Sequence, residues 1–507
     1  MAFQRNHVSN ADRLEIGLHV FRQKSVYGVI TDLARKYLVS RWFIYYCYAQ
    51  FLLVLELPQE LPVSLKPRLG CYDTLEERVL CLYLETEASI SGMRRVLKQL
   101  FGQEVSAGKI SEILTAYGSL LASHETVRCR LKFVSDEIFV GQPILVTVEP
   151  LSNYLRSLEA VNTRDKVTWG ACWFELVDAE TGQVERIVAD LAKGLVGGIE
   201  ERFGSQQAVP QIFQGDLFHL IMRLVSGITR AERKAYAAIT QEYEVLEKFE
   251  RAKSERTLLK HLTAYETAHI EAERWMQWVD DSRYLFRELQ EVLRFVDMRT
   301  GELRRKADVL AEVETILTLF KQEIAEERIQ QGAEYLRAHL DALLCYFDDV
   351  AAAAMELEKA IPDAAVRQDL CRLYAVEQQG RVAAGKRKRW LDAQWTDCHH
   401  ALLTQLGQAN YERWSQRVKQ TLDAIIRSSS VVENTNGRLR RFFDSARGQL
   451  SQSRLNLLRF YLNHKPFERG RRQGYSPAQL FHGRKAASEH WLTLLRQMKE
   501  AECPITA

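Results

Sequence analysis

The spacing of apolar residues divides the chain into helical and extended parts. Apolar residues recur at helical spacing in two N-terminal stretches, residues 11–56 and 74–125, and again almost without interruption over 220–427. Between them, residues 128–219 alternate short β-branched runs with turns, a pattern that predicts strands joined by helices. We therefore predict a multidomain, mainly α protein with one α/β core. A long all-α insertion would interrupt the mixed sheet of that core.

Each of the two N-terminal stretches predicts a helix-turn-helix unit, the motif that places the end of a helix in the major groove of DNA. In the first, Leu38 to Ser40 forms the turn, and Ser40 caps a second helix from Arg41. In the second, Ser106 caps the helix that follows a short turn. A plain helical hairpin is the alternative interpretation, but two such units in tandem favour a bipartite DNA-binding region. The candidate DNA contacts in the two units are Arg35, Lys36, Ser40, Arg41, Arg94, Arg95, Lys98 and Lys109.

The pattern predicts seven segments. A helix-turn-helix domain (1–56), a proline-containing linker (57–70) and a second helix-turn-helix-like domain (71–126) precede the first part of the α/β core (127–219). The all-α insertion (220–427), the second part of the core with a late helix (428–450) and a basic helical tail (451–507) follow. We interpret the aromatic cluster around Trp275 and Trp278 as packing, with base stacking as the alternative. The basic stretch GKRKRW at 385–390 is either a solvated loop or a phosphate contact.

The composition allows buried cores and confines any nucleic-acid surface to a local patch. Of the 507 residues, 46% are hydrophobic, which excludes disorder of the whole chain. The net charge is only +3, yet ten Lys or Arg stand against two acids between Arg438 and Arg472. A local excess of this kind is typical of phosphate binding. The candidate contacts in this run are Arg438, Arg441, Arg469, Arg471 and Arg472.

The expected cellular compartment follows from the cysteine spacing and from the lack of a signal peptide or membrane span in the sequence. The nine cysteines are scattered and never in C-x-x-C spacing, which indicates reduced thiols rather than a disulfide framework or a zinc site. The N-terminus has no apolar signal-peptide core, and no apolar run approaches the roughly 18 residues of a membrane span. We expect a cytoplasmic protein without membrane contact.

Acidic residues follow the predicted strands at the sheet edge where ligands collect in open α/β folds. Asp136 lies on the first strand, Asp190 directly follows the fourth, and Asp216 follows the fifth. Capping of the next helix is the alternative role for Asp190. Glu433 and Asn436 lie on one stripe of a late, serine-capped helix. Carboxylates gathered at one point suit Mg²⁺, and two such ions catalyse phosphodiester cleavage and transfer in many enzymes.

These residues lie within motifs that resemble DDE-type bacterial insertion-sequence transposases over residues 128–480. The motifs are Ser135-Asp136-Glu137, Asp190-Leu191-Ala192, Asp216-Leu217-Phe218-His219, the segment from Ser429 to Arg440, and Gly474 to Leu480. Two positions depart from the family pattern. Leu191-Ala192 stands where the family has Met-Ser, and a second serine stands where it has Asn after the first. Neither departure removes a carboxylate.

The resemblance implies a ribonuclease H-like core in which Asp136, Asp190 and Glu433 bind the metal and form the catalytic triad. Asp216 is the alternative second acid. Glu137, Asp216, His219, Asn436 and Arg440 would be accessory residues near the site. The implied cofactor is Mg²⁺ or Mn²⁺, with two ions per site.

The function implied is a DNA transposase that binds the ends of a mobile element and catalyses strand cleavage and transfer. Its partners would be double-stranded DNA, at the element ends and the target, and further copies of the chain in a homodimer or higher oligomer. It would act at the nucleoid in the bacterial cytoplasm. A catalytically inactive, domesticated transposase that regulates through DNA binding is the alternative, and the need for an accessory protein or guide RNA stays open.

Overall fold

The computed structural model describes residues 8–23, 28–54, 74–122, 131–177, 183–204, 212–446, 450–483 and 489–502. The chain divides into two compact units, Met1–Cys81 and Leu82–Ala507. As predicted, the protein is mainly helical with one mixed sheet. The predicted linker 57–70 lies outside the described residues. Within the described parts of the chain, no helix has both the length and the apolarity that crossing a membrane requires.

The first unit is built on three helices, α1 (Asn10–Arg22), α2 (Val29–Lys36) and α3 (Arg41–Val54). Their buried faces form one core that includes Ile16, Leu33 and Ile44. Leu38 lies in the α2–α3 turn with a left-handed backbone (φ 52°). The hydroxyl of Ser40 accepts a hydrogen bond from the backbone N–H of Phe43 at 3.3 Å, so the predicted serine cap of α3 is present.

Three further helices follow, α4 (Leu75–Thr86), α5 (Ile90–Phe101) and α6 (Ala107–Ser119), and the boundary between the units falls within α4. Gly102 ends α5 in a left-handed conformation (φ 64°), as is usual after a helix C-terminus. Ser106 caps α6 by accepting a hydrogen bond from the backbone N–H of Lys109, as predicted.

The sheet has five strands, β1 (Leu131–Val140), β2 (Gln142–Glu149), β3 (Tyr154–Ala160), β4 (Val184–Ala189) and β5 (Phe213–Gly215). Their spatial order is β3-β2-β1-β4-β5; β1 to β3 form an antiparallel meander, and β4 and β5 run parallel to β1. Helices α7 (Lys166–Leu176) and α8 (Lys193–Phe203) cover one face. Trp169 and Trp173 of α7 are fully buried against Phe133 and Ile187 in the core of that face.

The insertion consists of eight helices: α9 (Leu217–Glu250), α10 (Glu255–Val292), α11 (Lys306–Glu323), α12 (Glu327–Ala338), α13 (Leu340–Leu343), α14 (Tyr346–Ala360), α15 (Ala364–Val382) and α16 (Gly385–Asp423). They share one large apolar core. The helix α16 is kinked at Gly407, where φ is 71°. Trp275 and Trp278 pack against this core, in agreement with the packing interpretation.

After the insertion the chain returns to the sheet through α17 (Ser430–Ala446) and ends in α18 (Gln452–His464), α19 (Pro477–His482) and α20 (Trp491–Glu502). The helix α18 lies between α6 and β3. Asn463 pairs with both backbone groups of Leu155, at 2.7 and 2.9 Å, which satisfies part of an edge strand. On α6, a Cβ on Gly118 would stand 1.9 Å from the carbonyl oxygen of Ser453, so α6 and α18 approach backbone to backbone.

Candidate active site

The register of the parallel strands places the first two acids side by side. Val134 of β1 pairs with Val188 of β4. Asp136 and Asp190 each lie two residues further along, so they stand at the same level and on the same face of the sheet. The neighbouring strand adds Asp216, whose backbone N–H donates to the carbonyl oxygen of Ala189 at 2.8 Å. Three acids therefore meet at one edge of the sheet, as the sequence predicted.

The helix α17 brings the late residues to the same point. The side-chain amide of Asn436 donates to Oδ2 of Asp136 at 2.6 Å across 300 residues of chain. Glu433 lies one helical turn earlier, with its side chain 34% exposed. The side-chain oxygen of Asn436 is buried and has no hydrogen-bond partner among the described residues. A buried acceptor without a donor, on a side chain that contacts the acid cluster, is consistent with a site for a cation.

Asp216 anchors this arrangement. Its side chain is fully buried and caps α9 by accepting from the N–H of Phe218 at 2.9 Å. It also accepts from the backbone N–H of Ser429 at 3.0 Å, from the Ser429 hydroxyl, and from Nδ1 of His219 at 2.5 Å. Burial alone would raise the pKa of the Asp216 carboxyl, but the bonds from His219 and Ser429 outweigh burial and lower the pKa. Both carboxylate oxygens are thereby occupied.

His219 connects the anchor to the catalytic candidate on α17. Its Nδ1 contacts Asp216, and its Nε2 lies 3.5 Å from Oε1 of Glu433. The hydrogen bond to Asp216 raises the pKa of His219 to about 9, against the opposing effect of burial, and the charges of Asp136 and Asp190 raise it further. At neutral pH the imidazole is a cation among carboxylates.

Asp136 is the acid of this cluster whose pKa is raised. Burial is the largest effect, and repulsion from Glu433 and Asp190 adds to it; the backbone N–H of Glu137 and the charge of His219 oppose them. The net result raises the pKa of Asp136 to about 6. A buried carboxylate with a raised pKa and acidic neighbours is typical of sites that hold a cation or share a proton.

Asp190 is placed differently from Asp216. Its Oδ1 accepts from the backbone N–H of Ala192 at 3.0 Å, and its other oxygen has no hydrogen-bond partner in the described parts of the chain. Ala192, not Asp190, is the N-cap of α8. The capping alternative for Asp190 is therefore not observed, and one oxygen of this carboxylate stays available.

Glu137 does not join the site. The sequence placed it beside the acids, but consecutive strand residues face opposite sides of the sheet, so Glu137 points towards α7. There it accepts from Arg164 at 3.0 Å and from the indole N–H of Trp169 at 3.1 Å. Arg440 is exposed on α17, where its proposed phosphate contact stays a prediction. Ser429 is the residue whose role sequence reasoning missed, since its bond to Asp216 spans 213 residues.

The predicted DNA-contacting cations fall into two groups. Some bind other parts of the chain: Arg94 binds the carbonyl oxygen of Val105, Lys98 pairs with Glu104, Lys109 with Glu112, Arg441 with Glu87, Arg471 with Asp423, and Arg472 binds Asn153 and Pro150. Arg438 is half-buried, and burial lowers its pKa. The others form no ion pair in the described structure and are exposed: Arg35, Lys36, Arg41, Arg95 and Arg469. Of the bound group, Arg94, Lys98, Lys109, Arg441 and Arg471 are exposed as well. Part of the C-terminal basic run therefore stabilises the fold through contacts within the chain, and the rest stays available for phosphate binding.

In the described chain, no three His, Cys, Asp or Glu side chains form a ready metal-binding group. The donor set nevertheless fits a hard divalent cation, because Asp136 lies close enough to Glu433 and Asp190 for their charges to raise its pKa, and the buried side-chain oxygen of Asn436 has no partner in the described structure. Residues 358–506 match the model of a family of unknown function, DUF6399. This region includes Glu433 and Asn436 but not Asp136 or Asp190. No curated protein matches the chain.

Proposed function

We propose that this protein is a DDE-type DNA transposase with a ribonuclease H-like core. It would bind the ends of a mobile DNA element and catalyse Mg²⁺-dependent strand cleavage and strand transfer. The observation that carries the proposal is the placement of Asp136 on β1 beside Asp190, which directly follows the adjacent parallel strand β4, with Glu433 brought to them by α17. This is the convergence that the resemblance to the transposases predicts for its three acids.

The N-terminal helices support DNA as the substrate. Both turns contain the serine cap expected of a helix-turn-helix unit, at Ser40 and Ser106. Arg35, Lys36 and Arg41 are exposed at the α2–α3 turn. Each cation that neutralises a phosphate releases condensed counterions from DNA, and this makes binding favourable at low salt. Strand transfer joins two element ends to a target, so we expect a homodimer or higher oligomer on the DNA.

Asp136, Asp190 and Glu433 would hold the metal. Bound there, Mg²⁺ supplies charge neutralisation and activation of the attacking oxygen for an in-line displacement at phosphorus. The protein's own residues prepare the site. Asn436 donates to Oδ2 of Asp136 and so holds that carboxylate in place. The bond from Ser429 to Asp216 fixes the start of α17 against β5, so that Glu433 reaches the sheet edge.

The test is a strand-transfer assay with the full-length protein and duplexes that carry the DNA bordering its own gene. We expect joining in Mg²⁺ or Mn²⁺ that is lost in Asp136→Ala, Asp190→Ala and Glu433→Ala, while duplex binding survives. Asp280→Ala, an exposed aspartate on α10, is the matched control and should join normally.

The other outcomes distinguish the remaining hypotheses about the second catalytic acid and about catalysis itself. Asp216→Ala should lower stability first, because it leaves the His219 cation and two buried donors of Ser429 without their partner. If Asp190→Ala joins DNA normally and a folded Asp216→Asn does not, the second catalytic acid is Asp216. Wild-type protein that binds the duplexes tightly but joins none of them in either metal would refute the transposase and support the DNA-binding regulator.

A further inference from the structure

Two cavities that share lining residues lie along the insertion and the start of α17. The first encloses about 500 Å³ and is lined by Ser428, Ser430 and Val431 at the start of α17, together with Arg294 and Arg427. Ser430 lies one helical turn before Glu433, so this cavity lies along the start of the helix that carries the candidate catalytic carboxylate. The second cavity encloses about 440 Å³ and shares Arg294, Gln379 and Val382 with the first. The shared lining makes them one groove.

The groove is cationic. Its arginines are Arg287, Arg294, Arg387, Arg427 and Arg471, and its carboxylates are Glu288, Glu291 and Asp423. Arg294 pairs with Glu291 at 2.9 Å, and Arg387 lies 3.6 Å from the same glutamate. Burial lowers the pKa of Arg294, and the positive charges of Arg387 and Arg427 lower it further, against Glu291. Cations crowded in a partly buried channel bind anions strongly, because fewer waters screen them.

A second observation shows an unused donor at the junction. Gln379 lies where the two cavities meet, and its side-chain oxygen accepts from Arg387 at 2.9 Å. Its Nε2 is buried and has no hydrogen-bond partner in the described structure. A buried amide N–H without an acceptor costs free energy, which a ligand oxygen in the groove would recover.

The outer end of the groove has the features of a nucleic-acid platform. Tyr284 lines it and is 56% exposed, and Trp390, which ends the GKRKRW stretch and follows the lining residue Arg387 by one helical turn on α16, is 57% exposed. Lys386 and Arg389 are exposed in the same stretch. Cationic grooves with exposed aromatic rings are the usual means of holding single-stranded nucleic acid, because phosphates contact the cations and bases stack on the rings.

We propose that this groove binds a single strand of DNA that leaves the carboxylate site, from Ser430 past Arg294 and Gln379 to Arg387 and Trp390. The inference rests on the proposed function, because it identifies the DNA segment that the same site would handle. It also gives the insertion a role: the insertion would guide one strand away from the cleaved phosphate. The basic stretch 385–390 then serves as a phosphate contact, one of its two interpretations from sequence.

Fluorescence anisotropy with labelled oligo-dT tests the groove in EDTA, where no strand is cut. We expect Arg294→Ala/Arg387→Ala to weaken binding at least about tenfold and to lower the salt slope by about 1.4, since each lost phosphate contact removes about 0.7 for single strands. Trp390→Ala, an exposed substitution without risk to the fold, should weaken binding about fivefold or more through lost stacking. Arg305→Ala is the matched control, because Arg305 is exposed in the same insertion and pairs with Asp308 outside the groove.

Photo-crosslinking separates the groove from the N-terminal helices. Oligonucleotide carrying 4-thiothymidine should form adducts at Tyr284 or in peptides from 385–390. Adducts confined to the first 122 residues would overturn the proposal, as would oligo-dT affinities unchanged in both groove variants. Equal losses of duplex and single-strand affinity would assign the surface to duplex DNA instead. Asp136→Ala should retain oligo-dT binding, so a failure of strand transfer and a failure of this inference give different results.

Discussion

Asp136→Asn should make the metal-free protein more stable, although it removes a proposed catalytic residue. Asn is isosteric with Asp but carries no charge, so repulsion from Glu433 and Asp190 disappears. The bond from Asn436 can be kept, because the new amide oxygen accepts as the carboxylate did. The new amide N–H₂ can also donate to the side-chain oxygen of Asn436, which is buried and has no partner in the described structure. Charge is lost, and packing is preserved.

The size of the effect follows from the pKa of Asp136. Folding raises it from the ordinary 3.8 to about 6, a difference that corresponds to ~3 kcal/mol. Because the folded protein holds this proton more tightly than the unfolded chain, stability falls as the pH rises from about 4 to 6 and stays low above it. We expect Asp136→Asn to gain ~1–3 kcal/mol at pH 8, about half of that at pH 5, and nothing below pH 3.8.

Thermal unfolding in EDTA measures this gain. For a cooperative unit of roughly 400 residues, 1 kcal/mol corresponds to about 1 °C in Tm, so we expect an increase of about 1–3 °C at pH 8. Asp280→Asn, an exposed aspartate, is the control and should not change Tm at either pH. Added Mg²⁺ should raise the Tm of the wild type more than that of the variant. A variant that is less stable than the wild type at pH 8 in EDTA would refute the crowded-carboxylate site.

Three further predictions concern the anchor and the packing around it. Ser429→Ala should cost ~1–3 kcal/mol in urea denaturation, because it removes a donor to the buried Asp216 carboxylate, whereas the neighbouring Ser428→Ala should be nearly neutral; equal effects would contradict the anchor. Replacing His219 by Gln should lower the free energy of unfolding by about 1 kcal/mol at pH 7, a small value because the side chain is 36% exposed. This loss should vanish as the pH rises through about 9, the pKa of His219, and a loss that grows with pH would exclude a protonated imidazole. Gly118→Ala should lower Tm by several degrees, because the new Cβ would meet the carbonyl of Ser453. Gly437→Ala should not lower it, because a Cβ there has no atom within 4 Å, and similar Tm values for the two variants would show that α6 and α18 do not pack this closely.

The fold class followed from the periodicity, and the positions of the strands followed from it as well. Alternating and β-branched runs sit where β1 to β5 form, because each must bury one or both faces of a pleated strand. The helix caps at Ser40 and Ser106 could be predicted, because a serine hydroxyl that precedes an apolar helical pattern accepts a hydrogen bond from an unpaired backbone N–H of the first helical turn. The contacts of the C-terminal cations could not be predicted from the sequence. Arg471 and Arg472 look like phosphate contacts in sequence, yet they pair with residues far away along the chain.

The acid cluster was only partly predictable. The positions of Asp136, Asp190 and Asp216 after apolar runs indicated one sheet edge, and the structure brings them there. Which face Glu137 takes depends on strand register, and the pattern alone did not fix it. Only the basic stretch at 385–390 indicated the groove from Arg294 to Arg387, because the rest of its lining comes from helices spread over more than a hundred residues of the chain. Local patterns identify elements, whereas cavities depend on how elements pack.

The insertion begins and ends at one point of the candidate active site, and this distinguishes Asp190 from Asp216. Gln214 binds the carbonyl oxygen of Ile426 at 2.8 Å, and Asp216 binds the backbone N–H of Ser429 at 3.0 Å. Closing so long a segment costs conformational entropy, which these contacts must offset. Asp216 is fully buried and uses both oxygens for that closure, so it has no free oxygen to bind a metal. Asp190 has one, at the level of Asp136. The geometry therefore favours Asp190 as the second metal ligand of the proposed site and gives Asp216 the task of holding Glu433 in reach of it.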